Sequence, residues 1–143
     1  LQVGAASLTR FKAIDDVQKC GLSFGMSPCL DSALLQRARS LGILLVPGVF
    51  SPTEMFQAMQ QGCSLVKLFP AAQLGVDYLQ SLRGPLGPLP KVIAAGGLGV
   101  DDLEPWLAAG HAAVALGRRV LGSEGIDPTL LHWVVDVCPK CYR

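Results

Sequence analysis

Six short apolar runs recur along the chain at a spacing of about 20 residues, each followed by a segment of helical character. The runs are 1–7 (LQVGAAS), 22–27 (LSFGMS), 42–48 (GILLVPG), 64–70 (SLVKLFP), 90–97 (PKVIAAGG) and 112–117 (AAVALG). Helices are expected over 9–21, 31–42, 51–62, 76–84 and 100–110, with a last one at about 127–137. Asp31 and Ser51 suit helix N-caps, Pro52 suits the first helical position, and Gly21, Gly42, Gly62, Gly84 and Gly110 suit the C-terminal stops. Near-continuous apolar strands alternating with amphipathic helices predict a parallel sheet covered on both faces. Two architectures satisfy that pattern: an open doubly wound sheet, or part of an eight-unit (β/α) barrel. A complete barrel needs roughly 250 residues, with about 200 near the lower limit. The 143 residues here amount to six units, and the repeat leaves no room for a second domain.

Composition removes several functions. Half of the residues are hydrophobic and only 16% are charged, which supports a substantial core and argues against disorder. Net charge is +1 and the basic residues are scattered, so no stripe for nucleic acid is present. No apolar run approaches the roughly 18 residues of a membrane span. The opening stretch lacks a charged leader followed by an apolar core, so it does not read as a secretory signal. It also lacks an initiator Met, which predicts a processed chain or part of a longer one. Five cysteines in this composition predict reduced thiols and a cytoplasmic location.

One lysine stands out. Lys67 sits inside the apolar run 64–71, with no acidic residue within nine positions on either side. Strand alternation puts Leu65, Lys67 and Phe69 on one face, with Val66 and Leu68 on the other. Three residues before Pro70, Lys67 lies near the C-terminal end of its strand, where barrel active sites form. Lost hydration lowers an amine's pKa and enlarges its neutral, nucleophilic fraction. A neutral lysine attacks carbonyl compounds to give a Schiff base. The competing structural reading is a snorkelling stem or a buried ion pair.

The motif VKLFPA (66–71), preceded by LVPGVFSPTE (45–54) and followed by AAGG (94–97), resembles the class I aldolases that cleave 2-keto-3-deoxy-6-phosphogluconate and 4-hydroxy-2-oxoglutarate, together with their phosphogalactonate relatives. The resemblance runs from Leu1 to about Gly122. It implies units three to eight of an eight-unit barrel, usually a homotrimer, acting on a small keto-acid substrate without metal or organic cofactor. It implies that Lys67 is the Schiff-base residue, that Ser7, Pro28, Pro47, Gly48 and Phe69 line the substrate site, and that Gly96, Gly97, Gly117, Arg118 and Arg119 surround the phosphate. Arg119 takes the place of the family's phosphate-contacting serine, Ser7 that of a threonine, and Ala95 that of another threonine, while Cys29 is a further small change. In the family a glutamate on the second strand moves the protons, and this chain begins after that strand. Glu54 suits a helix N-terminus better than that task.

Independently of the resemblance, glycines between a strand and a helix expose N–H groups to an anion. Gly96, Gly97 and Gly99 fit that description, and Gly117 follows one unit later. Asp101 and Asp102 then read as helix caps, Asp15 and Asp16 as a solvated helix face, His111 as a C-terminal cation or turn residue, and Trp106 and Trp133 as packing anchors. Cys138 and Cys141 have zinc-knuckle spacing, but only His132 lies near as a further ligand, so no metal is expected. Two other functions stay open: a truncated barrel serving as a binding or oligomerising module, and a phosphate-binding epimerase or synthase in which Lys67 merely contacts substrate.

Overall fold

The computed structural model describes residues 2–122 and 125–137. Helix α1 (Phe11–Lys19) leads to β1 (Phe24–Met26), α2 (Ser32–Ser40), β2 (Leu44–Val46), β3 (Gly48–Val49) and α3 (Pro52–Gln60). Then come β4 (Leu65–Leu68), α4 (Ala71–Leu74), α5 (Tyr78–Leu86), β5 (Lys91–Ala95), a 3₁₀ turn at Val100–Asp102, α6 (Leu103–Ala108) and β6 (Ala113–Ala115). A two-residue hairpin, β7 (Leu121–Gly122) with β8 (Gly125–Ile126), precedes α7 (Pro128–His132) and a wider π-type turn at Trp133–Val137.

Strands β1 to β6 pair in parallel, β1 with β2 and β3–β4–β5–β6 in chain order. Pro47, with no N–H to give, divides β2 from β3, yet its carbonyl accepts from the Lys67 amide at 2.8 Å. Residues 44–49 are therefore one extended segment that pairs with β1 before the proline and with β4 after it. Strands β1 to β6 thus end on the same side, and the βα loops gather there.

The helices cover one face of this sheet. Val49, Met55, Val66, Leu68, Leu79, Val92 and Trp106 form the larger core cluster, and Ile14, Val17, Leu34, Leu35 and Leu45 belong to a second beside it. The other face is open over part of its extent. Phe24, Met26, Leu44, Val46, Leu65 and Ile93 line an open apolar hollow of about 420 Å³, and Leu44 is 50% exposed.

Local chemistry sets the helix starts. The Asp31 carboxylate accepts from the Ala33 and Leu34 amides at 2.9 and 3.1 Å. Ser51 and Glu54 form a reciprocal capping box ahead of Pro52, and the two flanking amides hold the Glu54 carboxyl below its ordinary pKa.

Several elements differ from the sequence reading. The expected strand 1–7 is reduced to a bridge between Ala5 and Gly25, and Ser7 departs from extended backbone at φ +60°. Gly84 does not stop its helix. The helix continues through Pro85, bringing Leu86 onto the larger core, and Gly87 closes it at φ +73°. The short α4 was missed, and the final helix changes to the π-type turn after His132. Of the two roles expected for His111, it takes that of a turn residue after α6, its amide donating to the Trp106 carbonyl at 3.3 Å. It is 4% exposed, its Nδ1–H donates to the Trp106 carbonyl at 3.0 Å, and burial pushes its pKa down. Trp106 is the expected anchor; the Trp133 indole N–H is buried without a partner. Cys138 and Cys141 lie outside the described residues.

Candidate active site

Lys67 is buried, at 7% exposure, on the inner face it shares with Leu65 and Phe69. Its neighbours in register are Gly48 on β3 and Ile93 on β5. Among the described residues no carboxylate pairs with it. Its Nζ lies 4.7 Å from the centre of the Phe69 ring. Burial lowers the pKa of the ammonium, and the Cys29 sulfur acts in the opposite sense. A partnerless, desolvated amine is the state in which lysine is a nucleophile.

Two glycines let the surroundings close on this strand. A Cβ on Gly48 would overlap the Pro28 carbonyl and stand 2.9 Å from the Cys29 amide nitrogen. Only hydrogen therefore fits between the β1 and β3 loop ends, and Pro28 and Cys29 are brought onto the residue that neighbours Lys67. Ser27, 1% exposed, supports that turn by accepting from the Cys29 amide at 3.3 Å. Gly96, at φ +97°, would drive a Cβ to 2.9 Å from the Phe69 ring. Its bare backbone keeps the ring in position beside the lysine.

The glycine loop extends outward from there. The Gly96 carbonyl accepts from the Ala72 amide at 3.1 Å, which ties the start of α4 to the loop. The Gly97 carbonyl accepts from Arg119 Nη1 at 2.8 Å. Asp102 accepts from the Gly99 amide at 2.7 Å and faces Arg119 at 3.6 Å. Gly97, Asp102 and Arg119 share a cleft of about 310 Å³ with Ala72, Pro105 and Trp106. The Arg119 side chain stays 64% exposed, so its ion pair adds little stability and leaves donors free for an anion.

The other expected residues scatter. Pro47 is buried and supports Lys67 through its carbonyl. Ser7 lies beyond the Ala5 bridge with its side chain exposed. Gly117 turns the chain by accepting from the Val120 and Leu121 amides. Arg118 is exposed and makes no hydrogen bond or ion pair among the described residues. Sequence reasoning missed the coupling of Asp102 to Arg119. Their opposite charges, one ahead of α6 and one in the loop after β6, were the available signal.

The family model for KDPG and KHG aldolases matches residues 1–134. The chain belongs to that family. A 2-dehydro-3-deoxy-6-phosphogalactonate aldolase of Escherichia coli K12 is 30% identical over 142 residues, covering 99% of this chain and 68% of its own length. A 2-dehydro-3-deoxy-phosphogluconate aldolase of Dickeya dadantii is 34% identical over 126 residues, covering 87% and 59%. Among solved structures, a KDPG aldolase from Legionella pneumophila with pyruvate captured as a covalent carbinolamine aligns at TM-score 0.76 and 29% identity, covering 85% of this chain and 59% of that one. A native KDPGal structure aligns at 0.76 and 28%, covering 84% and 58%. The chain thus spans about three fifths to two thirds of the length of these relatives. Among the described residues no helix is long and apolar enough to cross a membrane, and no three His, Cys, Asp or Glu gather as metal ligands.

Proposed function

We propose that this chain carries the Schiff-base half of an aldolase acting on a 2-keto-3-deoxy-6-phospho sugar acid, or on 4-hydroxy-2-oxoglutarate. The observation that carries the reading is Lys67, a buried amine with no acidic partner at the C-terminal end of a parallel strand. Neutral Nζ adds to the C2 carbonyl of the substrate, and loss of water leaves an iminium ion. Removal of the C4 hydroxyl proton breaks the C3–C4 bond, and its electron pair moves into the iminium as an enamine. The aldehyde departs as glyceraldehyde 3-phosphate or glyoxylate. Protonation at C3 and hydrolysis then release pyruvate and free Lys67.

Around that amine, Ser7, Pro28, Pro47, Gly48 and Phe69 hold the keto acid, and Gly96, Gly97 and Gly117 offer the phosphate loop. Arg119 supplies a guanidinium where a hydroxyl is usual, and guanidinium–phosphate bonds are among the stronger charge-assisted contacts. Arg118, exposed nearby, adds long-range attraction.

The six units form part of an eight-unit barrel in this reading, and the full assembly is a cytoplasmic homotrimer. The uncovered hollow lined by Leu44 and Phe24 supports it, since an apolar sheet face of that size is normally covered. The relatives' greater length supports it too. The residue that moves the protons then lies on a unit outside these six.

The experiment is pyruvate release from each phosphorylated sugar acid, followed with a coupled dehydrogenase, for the chain and for Lys67→Met. Lysine-dependent release supports the proposal. Equal release from both proteins, or tight binding of the phosphate esters with no borohydride-trapped adduct on Lys67, refutes it.

A further inference from the structure

An open cavity lies away from Lys67, at the opposite end of the strands. It has a volume of about 490 Å³ and is walled by Leu79, Leu89, Pro90 and Val92, with Arg83 and Lys91 as its charged residues. Lys91 opens β5, in register with Leu65, whereas Lys67 lies two positions further along the same pairing. The cavity sits among the loops that enter β5 and β6, not those that leave them.

Two features make it more than a crevice. First, Arg83 is positioned. Its Nη1 donates to the Gln80 side chain at 3.4 Å, and its Nη2 lies 3.0 Å from where a Cβ on Gly110 would stand. Gly110 is held at φ +92°, so the guanidinium rests against bare backbone at the cavity edge. Second, the charge is unopposed. No acidic residue lines the cavity, and neither Arg83 nor Lys91 forms an ion pair among the described residues.

Two helix C-termini also face this end, and their dipoles work against an anion. At α6 the Pro105, Trp106 and Leu107 carbonyls accept from Ala109, His111 and Gly110 amides, and Trp106 also accepts from His111 Nδ1. At α5 the Gly87 amide takes the Arg83 carbonyl. Arg83 and Lys91 carry the full charges in the lining, both positive.

We propose that this cavity binds a small organic anion, a carboxylate or phosphate ester, with its apolar body against the leucines and prolines and its head between Arg83 and Lys91. The volume suits a small molecule, and the site is separate from the aldolase reading and independent of it.

The test is a titration of the ¹⁵N-labelled full chain with phenyl phosphate, benzoate and neutral benzyl alcohol, reading the Gly87 and Gly110 amides. The expected result is saturable movement of both amides with at least one anion, and binding about tenfold weaker for benzyl alcohol. Arg83→Gln and Lys91→Gln, both at exposed positions, should each weaken binding by about tenfold and leave the Gly97 amide unmoved. Whether phosphate or carboxylate binds names the ligand class. No saturable movement at either amide, equal binding of benzyl alcohol, or wild-type affinity in both variants overturns the proposal.

Discussion

Gly48→Ala is the most informative single methyl that could be added to this chain. The new Cβ would overlap the Pro28 carbonyl and meet the Cys29 amide nitrogen at 2.9 Å, and both neighbours are backbone that no rotamer change can clear. The Pro28–Cys29 segment must retreat by about 1.2 Å or more to reach ordinary contact distance. Overpacking of that kind costs about 1–3 kcal/mol. For a chain of this size that corresponds to roughly 3–10 °C in melting temperature. A shift of about 1 Å at residues lining a reaction site can also lower turnover by about 10²-fold. The assays are a thermal melt by circular dichroism and pyruvate release on the same preparation. A melt within about 1 °C of wild type, with unchanged turnover, would show that the two loops are not held together through Gly48, and the argument from close approach would fail.

Lys67→Met should change how stability depends on pH. The folded pKa of this lysine is lowered by burial, so the unfolded chain binds the extra proton and the wild type gains stability as pH rises from the folded toward the unfolded value. The variant should lack that gain, and urea melts at neutral and alkaline pH that stay parallel for both proteins would refute it. Glu54→Ala removes half of a capping box and should cost about 1 kcal/mol. Because the Glu54 pKa is depressed, its contribution is present above the unfolded value and lost as pH falls through the folded one; an unchanged acid-side stability profile would contradict this. Arg119→Ser should raise KM for phosphorylated substrate about tenfold and leave that for 4-hydroxy-2-oxoglutarate within about twofold. Equal effects on both would remove Arg119 from the phosphate site.

Alternation and local capping carried most of the fold. The inner placement of Lys67 with Leu65 and Phe69 follows from a two-residue period, and the starts of α2 and α3 follow from Asp31 and Ser51, whose partners are three residues away at most. What sequence reasoning missed depends on distant neighbours. Gly84 looked like a stop because the gain from placing Leu86 on the core cannot be read locally. The burial of His111 could not be read locally because the Trp106 ring, 4.8 Å away, and the carbonyl it caps are supplied only by folding. The link from Arg119 to Asp102 and Gly97 crosses from one unit to the next. Ser7 failed as a strand residue for a backbone reason, its positive φ, to which composition gives no clue.

The central claim is that Lys67 is a neutral nucleophile facing a keto acid. Incubation with pyruvate and borohydride, followed by peptide mass mapping, tests it without requiring turnover. The account predicts a reduced pyruvyl adduct on the peptide bearing Lys67 and none on Lys67→Met. A chain left unmodified, or one labelled equally at its exposed lysines, would contradict it.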